Sequence, residues 1–323
     1  MKTHSFNYPK RLTLANIPTP IQKLRFRESA FLIKRDDLTG LELSGNKVRK
    51  LEFLLHYAKK LKADLLFTCG GEQSNHARAT VFAAKSIGLN TKLFLWGKES
   101  TLADGNLFLN KFLNTEIKYL TKLEYDNVNS IMFEEKLKLE KAGKKIFIIP
   151  EGGSSEVGIW GYVKAFEEII EQRNFNINSI LTACGSGGTS AGLLLGAHLY
   201  GKKFQILAVN VLYPADVMRN KILELVENTI RKYSLKIKLD ESLLEVVDGY
   251  STEGYKNISN EKIKVIREFA GQTGIILDPA YTGKAFYAYQ EQYLKSKNLS
   301  RTLFIHTGGL FGVFPKRKLF LQN

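Results

Sequence analysis

Short apolar runs rich in β-branched and aromatic residues alternate, almost throughout the chain, with longer stretches whose apolar positions recur every three or four residues. Phe31-Leu32-Ile33-Lys34-Arg35 reads as a strand. From about Lys47 onward, Leu51, Leu54, Leu55, Ala58 and Leu61 fall on one face of a helix. Strands are predicted next at Leu65–Thr68, Leu93–Trp96, Ile117–Leu120 and Ile146–Ile149. Helices are predicted between them at Ala77–Ser86, Leu107–Phe112 and 128–142. After Pro150-Glu151-Gly152-Gly153 the alternation resumes, with strands at Ile180–Ala183, Gln205–Leu212, Glu245–Val247 and Leu303–His306. Repeated β-α-β units demand parallel pairing with helices on both faces, so the pattern predicts an open, doubly wound α/β architecture.

In such sheets ligands sit beyond the carboxyl ends of the strands. Three glycine-bearing turns fall there: Cys69-Gly70-Gly71, Cys184-Gly185-Ser186-Gly187-Gly188 and Thr307-Gly308-Gly309. The second opens a helix, where converging N–H groups and the helix dipole suit an anion, with Ser186 and Thr189 adding hydroxyls. As a dinucleotide fingerprint it is poor. Ser190 stands where the third glycine belongs, and Val209-Asn210-Val211 offers no acidic residue after the next strand. A mononucleotide-sized phosphate fits better.

Gln73-Ser74-Asn75-His76 brings a hydroxyl, an amide and helix-start N–H groups together as a carboxylate cradle, or serves simply as an N-cap. Lys47 follows the small-residue turn Ser44-Gly45-Asn46. Desolvation, or the neighbouring cations Arg49 and Lys50, would lower its pKa and free the amine for Schiff-base chemistry. Taken alone, it reads more simply as a surface lysine at a helix start. Gly40-x-x-x-x-Gly45 mimics a Walker loop, but Asn46 precedes the lysine and Val48 lacks the hydroxyl that would hold magnesium. Tyr281, at a helix start, and Tyr255, in a loop-like stretch, are packing residues or candidate acid–base groups.

Composition narrows the classes. The chain has 47 Lys and Arg against 32 Asp and Glu, a formal charge of +15 over 323 residues. The basic residues are interspersed with acids, as in Glu134-Glu135-Lys136-Leu137-Lys138, and no nucleic-acid motif appears, so a solvated lysine-rich surface is the simpler reading. Five scattered histidines offer no metal spacing. Two cysteines outside any C-x-x-C pair point to a reducing cytoplasm. The first ten residues lack the apolar core of a signal peptide. No uncharged apolar run approaches the ~20 residues of a membrane span.

Together, Lys34-Arg35-Asp36-Asp37-Leu38-Thr39-Gly40, Ser44-Gly45-Asn46-Lys47-Val48-Arg49-Lys50-Leu51-Glu52, Gln73-Ser74-Asn75-His76, the 184–192 loop, Asp278-Pro279-Ala280-Tyr281-Thr282-Gly283-Lys284 and His306-Thr307-Gly308-Gly309 resemble one family. It comprises the pyridoxal-phosphate-dependent 1-aminocyclopropane-1-carboxylate (ACC) deaminases and D-cysteine desulfhydrases of the tryptophan-synthase-β fold, fold type II. The resemblance implies two domains with open twisted parallel sheets, a smaller one at about 50–152 inserted in a larger one formed by 1–49 and 153–323. It implies pyridoxal 5′-phosphate as cofactor, held by Lys47 in Schiff-base linkage, with Lys47 shuttling the α-proton once substrate displaces it. Asn46, Asn75 and Thr307 would join Gly185, Ser186, Gly187, Gly188 and Thr189 around the cofactor. Ser74, Asn75, His76 and Thr282 would meet the amino-acid substrate, while Tyr281 and Tyr255 match the family's active-site tyrosines. A homodimer is also implied.

The family's two activities differ at two positions, where deaminases carry Glu and Leu and desulfhydrases carry small hydroxyl residues. Here Thr282 and Thr307 stand there. A carboxylate keeps the cofactor's ring nitrogen protonated and makes a strong electron sink, whereas a hydroxyl leaves it neutral. The threonines therefore favour β-elimination, D-cysteine and water giving pyruvate, ammonia and sulfide, with ACC deamination as the alternative.

Overall fold

The alternation resolves into two sheets. The computed structural model describes residues 6–172, 175–294 and 301–321, so the first half of the N-terminal stretch read above lies outside the described residues. In chain order the strands are β1 (Ile21–Phe26), β2 (Ser29–Lys34), β3 (Leu65–Gly71), β4 (Asn90–Trp96) and β5 (Glu116–Leu120). They continue with β6 (Ile146–Ile148), β7 (Ser179–Cys184), β8 (Gln205–Asn210), β9 (Leu244–Val247) and β10 (Thr302–Ile305). One sheet runs β1-β2-β10-β7-β8-β9 and the other β5-β4-β3-β6. Every pairing is parallel except β1 with β2.

The helices between them are α1 (Asn46–Lys60), α2 (Asn75–Lys85), α3 (Gly105–Phe112), α4 (Lys122–Asp126), α5 (Val128–Lys141) and α6 (Trp160–Glu171). After β7 come α7 (Gly188–Leu199), α8 (Ala215–Lys232), α9 (Asn260–Thr273), α10 (Thr282–Gln292) and α11 (Arg317–Leu321). None is long and apolar enough to cross a membrane.

The predicted elements are present, with ends shifted by a few residues. Others were not placed in the sequence, β1 and α4 among them. β1 is an edge strand whose apolar positions, Ile21, Leu24 and Phe26, are broken by Gln22-Lys23 and Arg25, and a tight turn with Arg27 at φ +53° returns it antiparallel along β2. The short helix α4 starts on a capping box, the Thr121 hydroxyl accepting from Glu124 N and the Glu124 carboxylate accepting from Thr121 N.

Two apolar clusters cover the six-stranded sheet. One packs α1, α6 and α7 around Trp160, Phe53, Leu54 and Leu194; the other is aromatic, with Phe26, Phe31, Phe269, Phe286 and Phe304. A buried polar knot fixes the first turn of α1 against them. Arg49 forks onto Asp36 at 2.8 Å and Glu168 at 2.9 Å, Tyr162 donates to Asp36 at 2.6 Å, and Lys34 pairs with Glu168. Each charge in this group has an opposite partner, which is what makes its burial tolerable. Just before α1, Gly45 at φ +105° passes so close to the end of β10 that a Cβ would lie 2.5 Å from the Thr307 carbonyl oxygen. The start of α1 is thereby set against the carboxyl ends of β10 and β7.

Candidate active site

Lys47 is the second residue of α1 and opens into two adjoining clefts. Its amine lies near Gly152, where an added Cβ would stand 3.4 Å away. The protein crowded around that amine strips its water and pushes its pKa down to about 8, while Glu151, Cys184 and Asp278 pull the other way. Desolvation is thus the cause, not the neighbouring arginine: Arg49 is turned into the Asp36–Glu168 knot.

The inner cleft is lined by Asn46, Lys47, Asn75, Gly185, Ser186, Gly187, Gly188, Thr189, Tyr281 and Thr307, all expected there, together with Asp278. Gly187 takes the left-handed conformation (φ +83°) at the N-cap of α7, a bend that glycine makes without steric cost. A side chain would fill this cradle: a Cβ on Gly185 would lie 2.8 Å from Tyr281 Cε1, and one on Gly188 2.3 Å from Ser154 Oγ. Ser154 Oγ is 2.8 Å from Ser186 Oγ and accepts from Gly188 N at 3.1 Å. Asn46 ties α1 to this loop, its side-chain amide donating to Thr189 Oγ1 at 2.9 Å and its N–H to the Thr307 carbonyl at 3.1 Å.

Lys50 completes the cradle and was missed in the sequence, where it counted only as a cation beside Lys47. Its buried amine donates to Gly152 O at 2.9 Å and reaches Ser154 Oγ at 3.5 Å. Burial, reinforced by Lys47, pushes its pKa well down, and a neighbouring anion would restore the charged form. The signal was available: Lys47 and Lys50 are three residues apart on a helix and share a face.

Ser74, His76 and Tyr255 line the larger outer cleft, which shares Lys47, Asn75, Ser186 and Tyr281 with the inner one. Ser74 caps α2, accepting from Ala77 N at 3.1 Å, and keeps its own proton to donate. Asn75 accepts from Asn106 Nδ2 at 2.9 Å, leaving its amide free to donate into the cleft. His76 shares a hydrogen bond with Thr68 Oγ1 at 2.9 Å, and burial with Lys47 and Lys50 nearby holds it well below the usual histidine range, hence neutral.

Tyr255 and Tyr281 meet edge to face, 5.7 Å between ring centres, with both hydroxyls pushed above the usual phenol range by burial. Tyr255 donates to Gln73 O at 3.3 Å. Its loop is clamped by Lys284, which donates to Gly254 O at 2.7 Å, and by Glu253, which pairs with Lys262 at 2.6 Å.

One expectation is corrected. Thr282 does not line either cleft. It is fully buried, donates to Asp278 Oδ1 at 2.7 Å and accepts from Asp278 N at 2.8 Å. Asp278 also accepts from Ala280, Tyr281 and Thr282 N–H groups, so Thr282 belongs to the turn that aims Tyr281. Thr307 alone of the two threonines faces the inner cleft.

Glu151, Tyr125, Tyr213 and Cys69, all on the outer cleft, were also missed. The Glu151 carboxylate accepts from Tyr125 OH at 2.8 Å and from Tyr213 OH at 3.4 Å. No spacing in the sequence joins these three; only the fold does.

Residues 12–308 match the family model described as pyridoxal-phosphate dependent enzyme. The chain is 41% identical to a putative ACC deaminase of Thermotoga maritima, over 95% of this chain and 99% of that one. It is 37% identical to a mitochondrial bifunctional D-cysteine desulfhydrase/ACC deaminase of Arabidopsis thaliana, over 98% of this chain and 80% of that one. It is 34% identical to a D-cysteine desulfhydrase of Klebsiella pneumoniae, over 94% and 95%. The crystal structure of an ACC deaminase homologue superposes with a TM-score of 0.86 at 37% identity, covering 97% of this chain and 95% of that one.

Proposed function

Because the chain belongs to the pyridoxal-phosphate-dependent enzymes of the tryptophan-synthase-β fold, we propose that it is a β-elimination lyase acting on a D-amino acid, D-cysteine and water giving pyruvate, ammonia and hydrogen sulfide. The residues present fit the cofactor. The Gly185–Thr189 cradle, Asn46 and Lys50 would hold its phosphate, and Lys47 its carbonyl carbon. When bound, the cofactor supplies an electron sink for charge developing at the substrate's Cα.

One observation favours β-elimination over ring opening: the inner cleft has no free carboxylate with which to keep the cofactor's ring nitrogen protonated. Asp278 is its one lining carboxylate among the described residues, and both its oxygens are taken by the Tyr281 turn. Thr307 offers only a hydroxyl. The weak sink that results suffices where an α-proton leaves and a thiolate departs.

The chain's own groups divide the work. Ser74 Oγ, the Asn75 amide and the N-terminus of α2 bind the substrate carboxylate. The Lys47 amine, once released, moves the α-proton, and Tyr281 with Tyr255 donates or orders a proton at the far face. The four-stranded unit, about 50–152, acts as the smaller inserted domain. Working as a cytoplasmic homodimer suits the two buried free thiols and the exposed Phe108–Phe112 pair on α3.

The deciding experiment compares purified wild type with Lys47→Ala after addition of pyridoxal phosphate. Visible absorption in wild type alone, followed by sulfide and pyruvate from D-cysteine, is expected. Absorption with 2-oxobutyrate from ACC and no sulfide would replace the desulfhydrase reading by the deaminase one. Equal absorption in both proteins would end the Lys47 assignment.

A further inference from the structure

Glu151 lines the outer cleft together with Lys47. The turn after β6 brings it to the wall of the outer cleft, one residue before Gly152 and hence beside the Lys47 amine. Tyr125 holds its carboxylate from α4, on the four-stranded side, and Tyr213 from the loop after β8, on the six-stranded side. Two phenols orient a carboxylate without neutralising it. Among the described residues no Lys, Arg or His forms an ion pair with it. The cation nearest in effect is Lys47, which has to be the uncharged amine to take the α-proton from a bound substrate.

Two further lysines line the outer cleft: Lys122 pairs with Asp126 on its own helix, and Lys221 lies over the Tyr213 ring, 5.1 Å from its centre, rather than on the carboxylate. The wall facing Lys47 therefore presents a fixed negative charge to whatever extends from the substrate's β-carbon.

We propose that Glu151 reads the charge of the substrate side chain, favouring an amino acid that carries an ammonium there, tolerating a small neutral group such as a thiol, and rejecting carboxylate or phosphate. The proposal rests on the reading of this chain as a β-elimination lyase. It adds a substrate class, β-amino amino acids. For 2,3-diaminopropionate the α-proton leaves Cα and the Cβ–N bond breaks with its electron pair going to nitrogen. Ammonia departs, and water hydrolyses the remaining enamine, so that one diaminopropionate and one water give pyruvate and two ammonia.

The test uses D-alanine, D-2,4-diaminobutyrate and D-aspartate, none of which has a heteroatom on Cβ to expel. Their dissociation constants are read from the change in visible absorption of the cofactor-loaded wild type and Glu151→Gln. Wild type should bind diaminobutyrate at least about tenfold more tightly than aspartate, as a charge-assisted hydrogen bond implies. Glu151→Gln should bring that ratio toward one, with the D-alanine constant moving less than about twofold. A mere strut between two tyrosines would move all three constants together, and that result overturns the proposal. So does a wild-type ratio near one, which decides the matter even if the variant does not fold. If D-alanine itself leaves the absorption unchanged, the amino-acid reading falls and the selector with it; D-alanine bound with a flat ratio removes the selector alone.

Discussion

A lysine with an ordinary pKa is free base in only about one molecule in a few thousand at neutral pH, whereas at about 8 the share is roughly one in ten. Dehydration of Lys47 therefore raises the reactive fraction roughly a few hundredfold, and the same dehydration is a burden on the fold. The folded pKa lies below the unfolded one, so the unfolded chain binds the extra proton between about 8 and 10.5, and stability rises with pH across that window. Cofactor-free Lys47→Met should accordingly melt above wild type at pH 7, with the gap closing as pH approaches 10.5. Thr282→Val should cost about 1–3 kcal/mol in denaturant titration by leaving Asp278 under-bonded. It should do so without changing the identity of the product, because Thr282 does not reach the cleft. Lys47 and the glycine loop were legible in the sequence because their chemistry is local, a backbone turn feeding a helix. Lys50, Glu151 and Thr282 were not, since each takes its meaning from a partner that the chain alone does not reveal: Ser154, Tyr213 and the Asp278 carboxylate.

At the scale of elements, the site is assembled from helix starts. α1 carries Lys47 and Lys50, α2 carries Asn75 and His76, α7 opens on Gly188, and α10 follows directly on Tyr281. A helix is expected from the sequence at each of these four places, but their convergence depends on β3, β7 and β10 ending together. The stretch around Tyr255 is the exception, a loop with no repeating pattern to read, ordered by Lys284 and Glu253. Replacing Lys284 with Met should raise amide hydrogen exchange over 249–257 while leaving α7 unchanged, and should lower turnover more than cofactor retention. Gly188→Ala should do the reverse, loosening the cofactor because its Cβ would collide with Ser154 Oγ. Equilibrium dialysis against pyridoxal phosphate separates the two cases.

Across the whole molecule, the six-stranded sheet joins distant parts of the chain. β2 ends at Lys34 and its neighbour β10 begins at Thr302, with the entire four-stranded sheet lying between them in sequence. Parallel alternation announced the fold class, but no local pattern announces which strand sits at the centre or that the strands divide into two sheets. Because β10 lies between β2 and β7, deleting residues from 301 onward should split the larger sheet and abolish cooperative melting, whereas deletion from 317 should lower Tm by only a few degrees.

The late position of β10 also orders events during synthesis. The turn that seats Gly45 and Asn46, and so aims Lys47, is made by Thr307 and Gly308, which leave the ribosome only after Lys47 and the whole four-stranded unit. Domains otherwise fold as they emerge, so the four-stranded unit can form early while the amine that captures the cofactor stays unplaced. A reactive aldehyde in the cell thus meets a trap only after β10 and the turn behind it are in place, and a translation product that stops before Thr307 is left without one.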